Sequence, residues 1–513
     1  MIFIRAPALL VVVSILAACA TVPFDYPRTP STAFQDTEDT YVGQYVAAVS
    51  AAHAEGGSGF YLLQEGIDAL ALRLLLAKFA ERSIDAQYFY IQRDLSGHLF
   101  INALLDAADR GVRVRLLVDD ILTIGFGPDI AALESHPNIE VRIFNPFAHR
   151  SSTRYAEFFT DLGRVNHRMH NKSFTVDNQV TIVGGRNIGD EYFDAERDFQ
   201  YGDLDVIGLG PVAKEISEGF DVYWNFEAAV PSEAIVEQPD DADALQELRD
   251  RMASAVEEAS QSQYGEALIS TILDNIGSTQ FPLYWGDPIV VYDDPEKVLD
   301  SAAADVPTIR SQLRSKVLGA AEELLIVTPY FVPQERGVDA FRELRDRGVR
   351  TLVVTNSLAS TDQIAVHAHY ARYRKELLEM GVELYEVKPD TNFQESKRSG
   401  YAFSLSALHA KAFIVDRRYI FIGSFNWDPR SVDINTEMGI YLDAEPMASS
   451  RADRLFASLD KHAFRLRLDD DGNIEWVDSE ETDEVLFNKE PQVGFWRRFQ
   501  AGFYRILPIE GQL

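Results

Sequence analysis

A single cysteine, Cys19, stands in 513 residues, so no disulfide can form within the chain. Positive charge is also scarce. Only 48 Lys and Arg face 80 Asp and Glu, a formal charge of −32. Proteins that track nucleic-acid phosphates carry a basic footprint, and none is present, so nucleic acid is not an expected partner. The apolar run at residues 6–18 is too short to span a bilayer. Cysteine ligand pairs and the H-E-x-x-H spacing are both missing, so no metal site is expected.

What the chain does have begins at its N-terminus. Arg5 precedes the apolar run, and Leu16-Ala17-Ala18-Cys19 closes it. This is a secretory signal over residues 1–18. Its end resembles the lipobox of bacterial lipoproteins, in which Cys19 becomes the lipidated first residue. The competing reading is an ordinary A-x-A cleavage beside an incidental Cys. Two or more acyl chains give stable anchoring. Ala20 is not Asp, so the resemblance implies a periplasmic lipoprotein held at the outer membrane. Residues 19–45 carry Pro23, Pro27 and Pro30 without periodicity, which predicts a tether.

The rest is too long for one core. Helical periodicity over 67–82 leads to a strand-like run over 83–91. A helix is predicted over 98–110, then strands over 112–118 and 139–144. The order returns downstream: Tyr330-Phe331 matches Tyr88-Phe89, and Gly348-Val349-Arg350 matches Gly111-Val112-Arg113. Alternating helices and strands predict an α/β fold of two similar half-domains, each a mixed sheet flanked by helices. The expected units are 46–210 and 306–450, separated by an acidic, partly helical region at 211–305. A C-terminal extension, 451–513, ends in FWRRFQAGFYRIL (495–507), read either as a segment lying on anionic lipid or as a terminal helix packed on the body.

The paired motif gives the chain its chemistry. HNKSFTVD places His170, Lys172 and Asp177 at the spacing H-x-K-x-x-x-x-D. HAKAFIVD repeats it with His409, Lys411 and Asp416. Gly184-Gly185-Arg186-Asn187 follows the first copy, and Gly423-Ser424-Phe425-Asn426 the second. The chain has only ten His, so two matched copies are not an accident of composition. Residues i and i+2 of a strand face the same way, so each half turns one imidazole and one ammonium into a common pocket. Two imidazoles suit displacement at phosphorus in two steps, one as nucleophile and one as proton carrier. Lys172, Lys411, Asn187 and Asn426 supply donors for phosphoryl oxygens. The lysines offset phosphate charge, so no cofactor is required.

These motifs resemble the phospholipase D superfamily. GGRNIGDEYF, NSLASTD and GSFNWDPRSVDINTE are similar to its bacterial cardiolipin synthase branch, most of all the signal-bearing type C members. Trp427 departs from that branch, where a smaller apolar residue is commoner, and is expected to alter a pocket wall. The resemblance makes His170 the nucleophile and His409 the acid/base, an order the two like motifs do not themselves specify. It gives Asp177 and Asp416 a mainly structural role. It also implies an acid on each His, expected as Glu437 for His409 and Asp203 for His170, with Asp205 the runner-up. His167 reads as a polar neighbour, while His367 and His369 are candidates for the acceptor side.

The implied reaction transfers a phosphatidyl group to phosphatidylglycerol, with phosphatidylethanolamine a further candidate substrate. A phospholipase D using water is the alternative. A superfamily nuclease is disfavoured by the acidity and by two motifs in one chain, a layout that also predicts catalysis by a monomer. A non-catalytic lipid scaffold is disfavoured by two intact motifs.

Overall fold

The computed structural model describes residues 21–513, apart from 52, 54–56, 124, 151–153, 155–156, 196–199, 239–242, 278–281, 300–305, 390–406 and 481–482. Cys19 lies outside the described residues. Buried apolar runs such as Arg113–Asp119 form the central strands, and the longer helical segments lie between them. The first half contains β1 (Ser58–Leu63), β2 (Ser83–Tyr88), β3 (Arg113–Asp119) and β4 (Ile139–Phe144). It continues with β5 (Ser173–Val176), β6 (Val180–Gly184), β7 (Tyr201–Gly202), β8 (Asp205–Leu209) and β9 (Ala229–Pro231). Its sheet runs β9-β4-β3-β2-β5-β6-β8-β1.

The second half contains β10 (Tyr284–Tyr292), β11 (Glu323–Val327), β12 (Arg350–Asn356), β13 (Glu383–Val387) and β14 (Ala407–Leu408). β15 (Ala412–Val415), β16 (Tyr419–Gly423), β17 (Met438–Asp443) and β18 (Ala463–Leu468) follow, then β19 (Ile474–Glu480) and β20 (Asp483–Phe487). Its order is β10-β17-β16-β15-β11-β12-β13-β18-β19-β20. The antiparallel pair β1–β10 joins the sheets, so the strand order reads the same outward from this pair in both directions. That is pseudo-two-fold symmetry written in topology. β2-β3-β4 and β11-β12-β13 are parallel, which requires crossover helices.

The layers are helix, sheet, sheet, helix. Helices Gly66–Phe79 and Leu95–Asp109 cover one sheet, Ile309–Leu318 and Gln334–Asp346 the other. The inner faces meet in a shared core in which Phe60, Val183 and Val206 pack with Leu325, Ile422 and Ile440.

The repeat is real, but its register differs from the sequence match. Ile84 pairs with Val176 and Leu324 with Val415, one residue before each motif aspartate. Tyr90-Ile91 is therefore the counterpart of Tyr330-Phe331. Parallel bridges Ile91–Ile188 and Phe331–Trp427 agree. Two Tyr lie in QYFYI, and matching on the first slips the alignment by two.

The interval expected as a tether is docked from its first described residues. Arg28 donates to the carbonyls of Phe226 and Ala229, and Arg142 to that of Thr29, at 2.9–3.0 Å. Hydrogen bonds run both ways between this segment and the sheet, and the interval ends in helix Tyr41–Ser50. Residues 211–305 serve both halves. Helix Pro211–Asn225 buries Val212, Ile216 and Phe220, β9 completes the first sheet, and β10 completes the second.

The motif aspartates sit in tight turns with left-handed backbone, φ 50° at Asp177 and 52° at Asp416. Asp177 accepts from the backbone N–H groups of Glu81, Arg82 and Ser83. Asp416 does the same for Ala321, Glu322 and Glu323, at 2.8–2.9 Å. Each aspartate ties a hairpin to the start of the neighbouring central strand. Asp416→Ala should cost about 1–3 kcal/mol in urea unfolding, since three donors lose their acceptor. Asp416→Asn keeps one oxygen and tolerates the left-handed turn, so it should lose less.

Candidate active site

Each motif segment is held by backbone of the other half. β14 pairs with β7, Leu408 opposite Gly202, and the His409 N–H donates to the Gly202 carbonyl at 2.8 Å. In the mirror position Met169 bridges Thr436, and the His170 N–H donates to the Thr436 carbonyl at 2.9 Å. The imidazoles follow their backbones across. Nδ1 of His170 lies 2.9 Å from Oε2 of Glu437, and Nδ1 of His409 lies 2.5 Å from Oδ2 of Asp203. The acids are thus exchanged relative to the sequence expectation, which paired each His with the nearer acid along the chain. Strand pairing between halves overrides that distance. Asp205 is engaged elsewhere, with Arg73 at 2.8 Å.

The glycine turns make room for these acids. A Cβ at Gly185 would stand 2.1 Å from Oδ1 of Asp203, so only glycine fits beside that carboxylate. Ser424 takes the corresponding place and donates its hydroxyl to Glu437, as Ser431 does at 2.7 Å.

Both lysines are buried. Lys172 Nζ donates to the His170 carbonyl at 2.6 Å and sits 5.4 Å from the Phe89 ring centre. Lys411 Nζ donates to the His409 carbonyl and lies 3.0 Å from His409 Nε2. Asn187 Nδ2 donates to the Tyr192 hydroxyl and Asn426 Nδ2 to Ser431 Oγ, while neither Oδ1 has a partner among the described residues. Rotating each amide by half a turn would aim Nδ2 where Oδ1 now points.

The two halves differ electrostatically. Burial, then Lys172 and Lys411, hold His170 well below the usual imidazole range. Burial and Lys411 also lower His409, but ionised Asp203 opposes them. Asp203 is lowered because His409 and Lys411 outweigh its burial, whereas burial pushes Glu437 up to about 7. Burial brings Lys411 down to about 8.

Aromatic rings wall the pocket. Phe89 meets the His170 ring at 5.1 Å, and Tyr192 and Tyr201 meet His409 at 5.3 and 4.7 Å. Tyr201 and Tyr330 both donate to Asp362. Sequence reasoning missed these walls, although Asp362 closes NSLASTD and Tyr192 lies in GGRNIGDEYF. His367 and His369 are not in the pocket. His367 Nε2 lies 3.3 Å from Glu490, and His369 Nδ1 lies 3.3 Å from Glu510, so both fasten the C-terminal extension. His167 is half-buried, and its carbonyl accepts from Asn145. Trp427 packs against Phe341 and Phe413 under the outer helices, away from the pocket wall expected for it. Among the described residues, no three His, Cys, Asp or Glu are grouped to hold a metal ion.

Comparison with known proteins matches the model "Cardiolipin synthase, PLD-like domain" to residues 75–224 and again to 313–459. That is more than half of the chain, once around each motif. The chain belongs to this phospholipase D-like family. It is an enzyme of phospholipase D type. It is 42% identical over 468 residues to cardiolipin synthase C of Escherichia coli (strain K12), covering 89% of this chain and 96% of that protein. An uncharacterised protein of Helicobacter pylori (strain ATCC 700392 / 26695) is 34% identical over 466 residues, covering 88% and 89%. The phosphatidylserine synthase of Haemophilus influenzae Rd KW20 shares the fold, with a TM-score of 0.56 at 12% identity over 91% of this chain and 100% of that one.

The His170–Glu437 pair makes a pH prediction. Glu437, raised from 4.5 to about 7, contributes stability that is present below 4.5 and lost as pH rises through 7. His170, depressed from 6.5, contributes stability that is present above 6.5 and lost as pH falls. Between 4.5 and 6.5 the two contributions oppose each other. Glu437→Gln removes one of them. Its Tm relative to the parent protein should therefore fall progressively as pH drops from about 7 to 4.5, and a constant difference would contradict the raised Glu437 carboxyl.

Proposed function

We propose that this chain transfers a phosphatidyl group to phosphatidylglycerol, forming cardiolipin through a phosphohistidine. The reading rests on one observation: two imidazoles, each backed by a carboxylate from the opposite half, flanked by two buried lysines. A carboxylate that accepts from Nδ1–H fixes the tautomer and leaves Nε2 for chemistry. Asp203 is ionised in this role, whereas Glu437 takes it up as pH rises through about 7. His170, the more strongly depressed of the two, remains neutral and suits attack. Its Nε2 bonds to phosphorus as the bond to the leaving alcohol breaks, and His409 protonates that alcohol. His409 then takes the proton from the incoming hydroxyl, whose oxygen displaces His170. Donor phosphatidylglycerol would release glycerol. Lys172 and Lys411 offset charge on the phosphoryl oxygens.

The similarity to cardiolipin synthase C supports the lipid acceptor over water. His170→Ala should abolish turnover without forming an adduct. His409→Ala should slow release, so that intact-protein mass spectrometry finds phosphatidyl on His170. Adduct in the first variant would reverse the roles. In phosphatidylglycerol vesicles, phosphatidic acid without cardiolipin would replace transfer by hydrolysis.

We also read the chain as a periplasmic lipoprotein anchored through Cys19 to the outer membrane. Among the described residues no helix is long and apolar enough to cross a membrane. Helix Phe495–Ile506 has no buried residue, and Phe495, Trp496 and Ile506 are 72–75% exposed beside Arg497, Arg498 and Arg505. It suits an anionic lipid surface. Arg497 donates to the carbonyls of Leu358 and Thr361, next to Asp362, which sets this face near the pocket mouth. Cys19→Ala should release most of the protein from membranes. Adding Trp496→Ser and Phe499→Ser should abolish the residual vesicle binding, measured by co-sedimentation.

A further inference from the structure

We propose that an apolar cleft in the first half is the seat of one acyl chain of the phospholipid substrate. The proposal rests on the phosphatidyl-transfer reading and adds a subsite to it. The cleft is an apolar hollow of about 70 Å³ that opens to solvent at its mouth. Its floor is the outer face of β3 and β4, where Leu116, Val118 and Val141 are buried. Ile101 and Ile130 form the sides, from helices Leu95–Asp109 and Gly127–Glu134. Leu248 and Met252, buried on helix Ala244–Ser260, close the far wall.

Two features select a hydrocarbon occupant. The depth is lined by aliphatic side chains, and at the rim Asp129 pairs with both Arg93, at 2.8 Å, and Arg251, at 2.6 Å. The charged groups therefore sit at the rim, one carboxylate between two guanidiniums. Leu122, at the mouth, is 49% exposed although large and apolar. Two tyrosines link the cleft to the His409 imidazole. Tyr90 lines it and hydrogen-bonds through its hydroxyl to the Tyr192 hydroxyl at 2.8 Å, and the Tyr192 ring stands against His409. A phosphoryl group between the two imidazoles has this apolar space beside it, past Tyr90.

The symmetry shows that the cleft is a feature of one half. β3 and β12 correspond, so residues 120–126 and 357–363 leave equivalent corners of the fold. In the second half that corner is taken by the C-terminal helix, whose Arg497 donates to Leu358 and Thr361. In the first half it opens into the cleft.

The test uses Ile101→Trp, which fills the cleft, and Leu122→Glu, which places a charge at its exposed mouth. Neither residue belongs to the catalytic machinery. The direct probe is 11-(dansylamino)undecanoic acid, whose fluorescence rises in apolar sites. The parent protein should bind it, and both variants should bind it at least about tenfold more weakly, the order set by lost burial of a few methylenes. Turnover of dipalmitoyl-phosphatidylglycerol should fall similarly, while turnover of dihexanoyl-phosphatidylglycerol and bis(4-nitrophenyl) phosphate stays at the parent level. Equal probe binding by parent and variants, or parallel loss on all substrates, would overturn the subsite. Probe binding that is lost in the variants, in a parent inactive on every phosphodiester, would uphold the subsite and instead defeat the phosphatidyl-transfer reading.

Discussion

Two carboxylates cross from one half of the molecule to the other, and the site exists because they do. His170 and Glu437 are 267 residues apart, and His409 and Asp203 are 206 apart. In a half on its own, each buried imidazole would lose its acid and each acid its imidazole. Unpaired buried charges and polar groups cost several kcal/mol, so neither half can hold its motif histidine and acid alone. The crossed backbone pairs β7–β14 and Met169–Thr436 set the same requirement in hydrogen bonds. Catalytic geometry and the joining of the halves are therefore one constraint.

Much of this was legible along the chain. The His, Lys and Asp spacing, the glycine turns and the parallel strand runs are local patterns, and local patterns survive in sequence. The two-half α/β architecture follows from their repetition. What was not legible lies between distant segments. Proximity in sequence assigned Glu437 to His409, while the fold gives it to His170. The doubled Tyr of QYFYI hid a two-residue slip that only strand register corrects. His367 and His369 carried the residue type of a catalytic group, yet their partners, Glu490 and Glu510, lie more than a hundred residues on. The proline-rich stretch at 23–30 had no periodicity, and its placement comes from hydrogen bonds in both directions, from its own Arg28 and from Arg142 of the sheet it lies against.

Symmetry of backbone does not bring symmetry of charge. Asp203 sits by a glycine and two cationic groups, and stays ionised despite burial. Glu437 sits among serine hydroxyls in the equivalent place, and burial prevails. One methylene in the acid and one hydroxymethyl in the turn thus separate two imidazoles that the motifs make alike. Duplicated halves can divide nucleophilic and proton-carrying work between them in this way, with the change confined to side chains around the acids.

The crossing also has a consequence for biosynthesis. A chain made from its N-terminus finishes the first sheet well before Glu437 or β14 exists. Contacts of such long sequence separation form late, after the loop-closure cost has been met. During synthesis the first half therefore carries His170 without its acid, and the paired site does not yet exist. The two-histidine site assembles only when almost the whole polypeptide has been made, so the topology itself times its appearance.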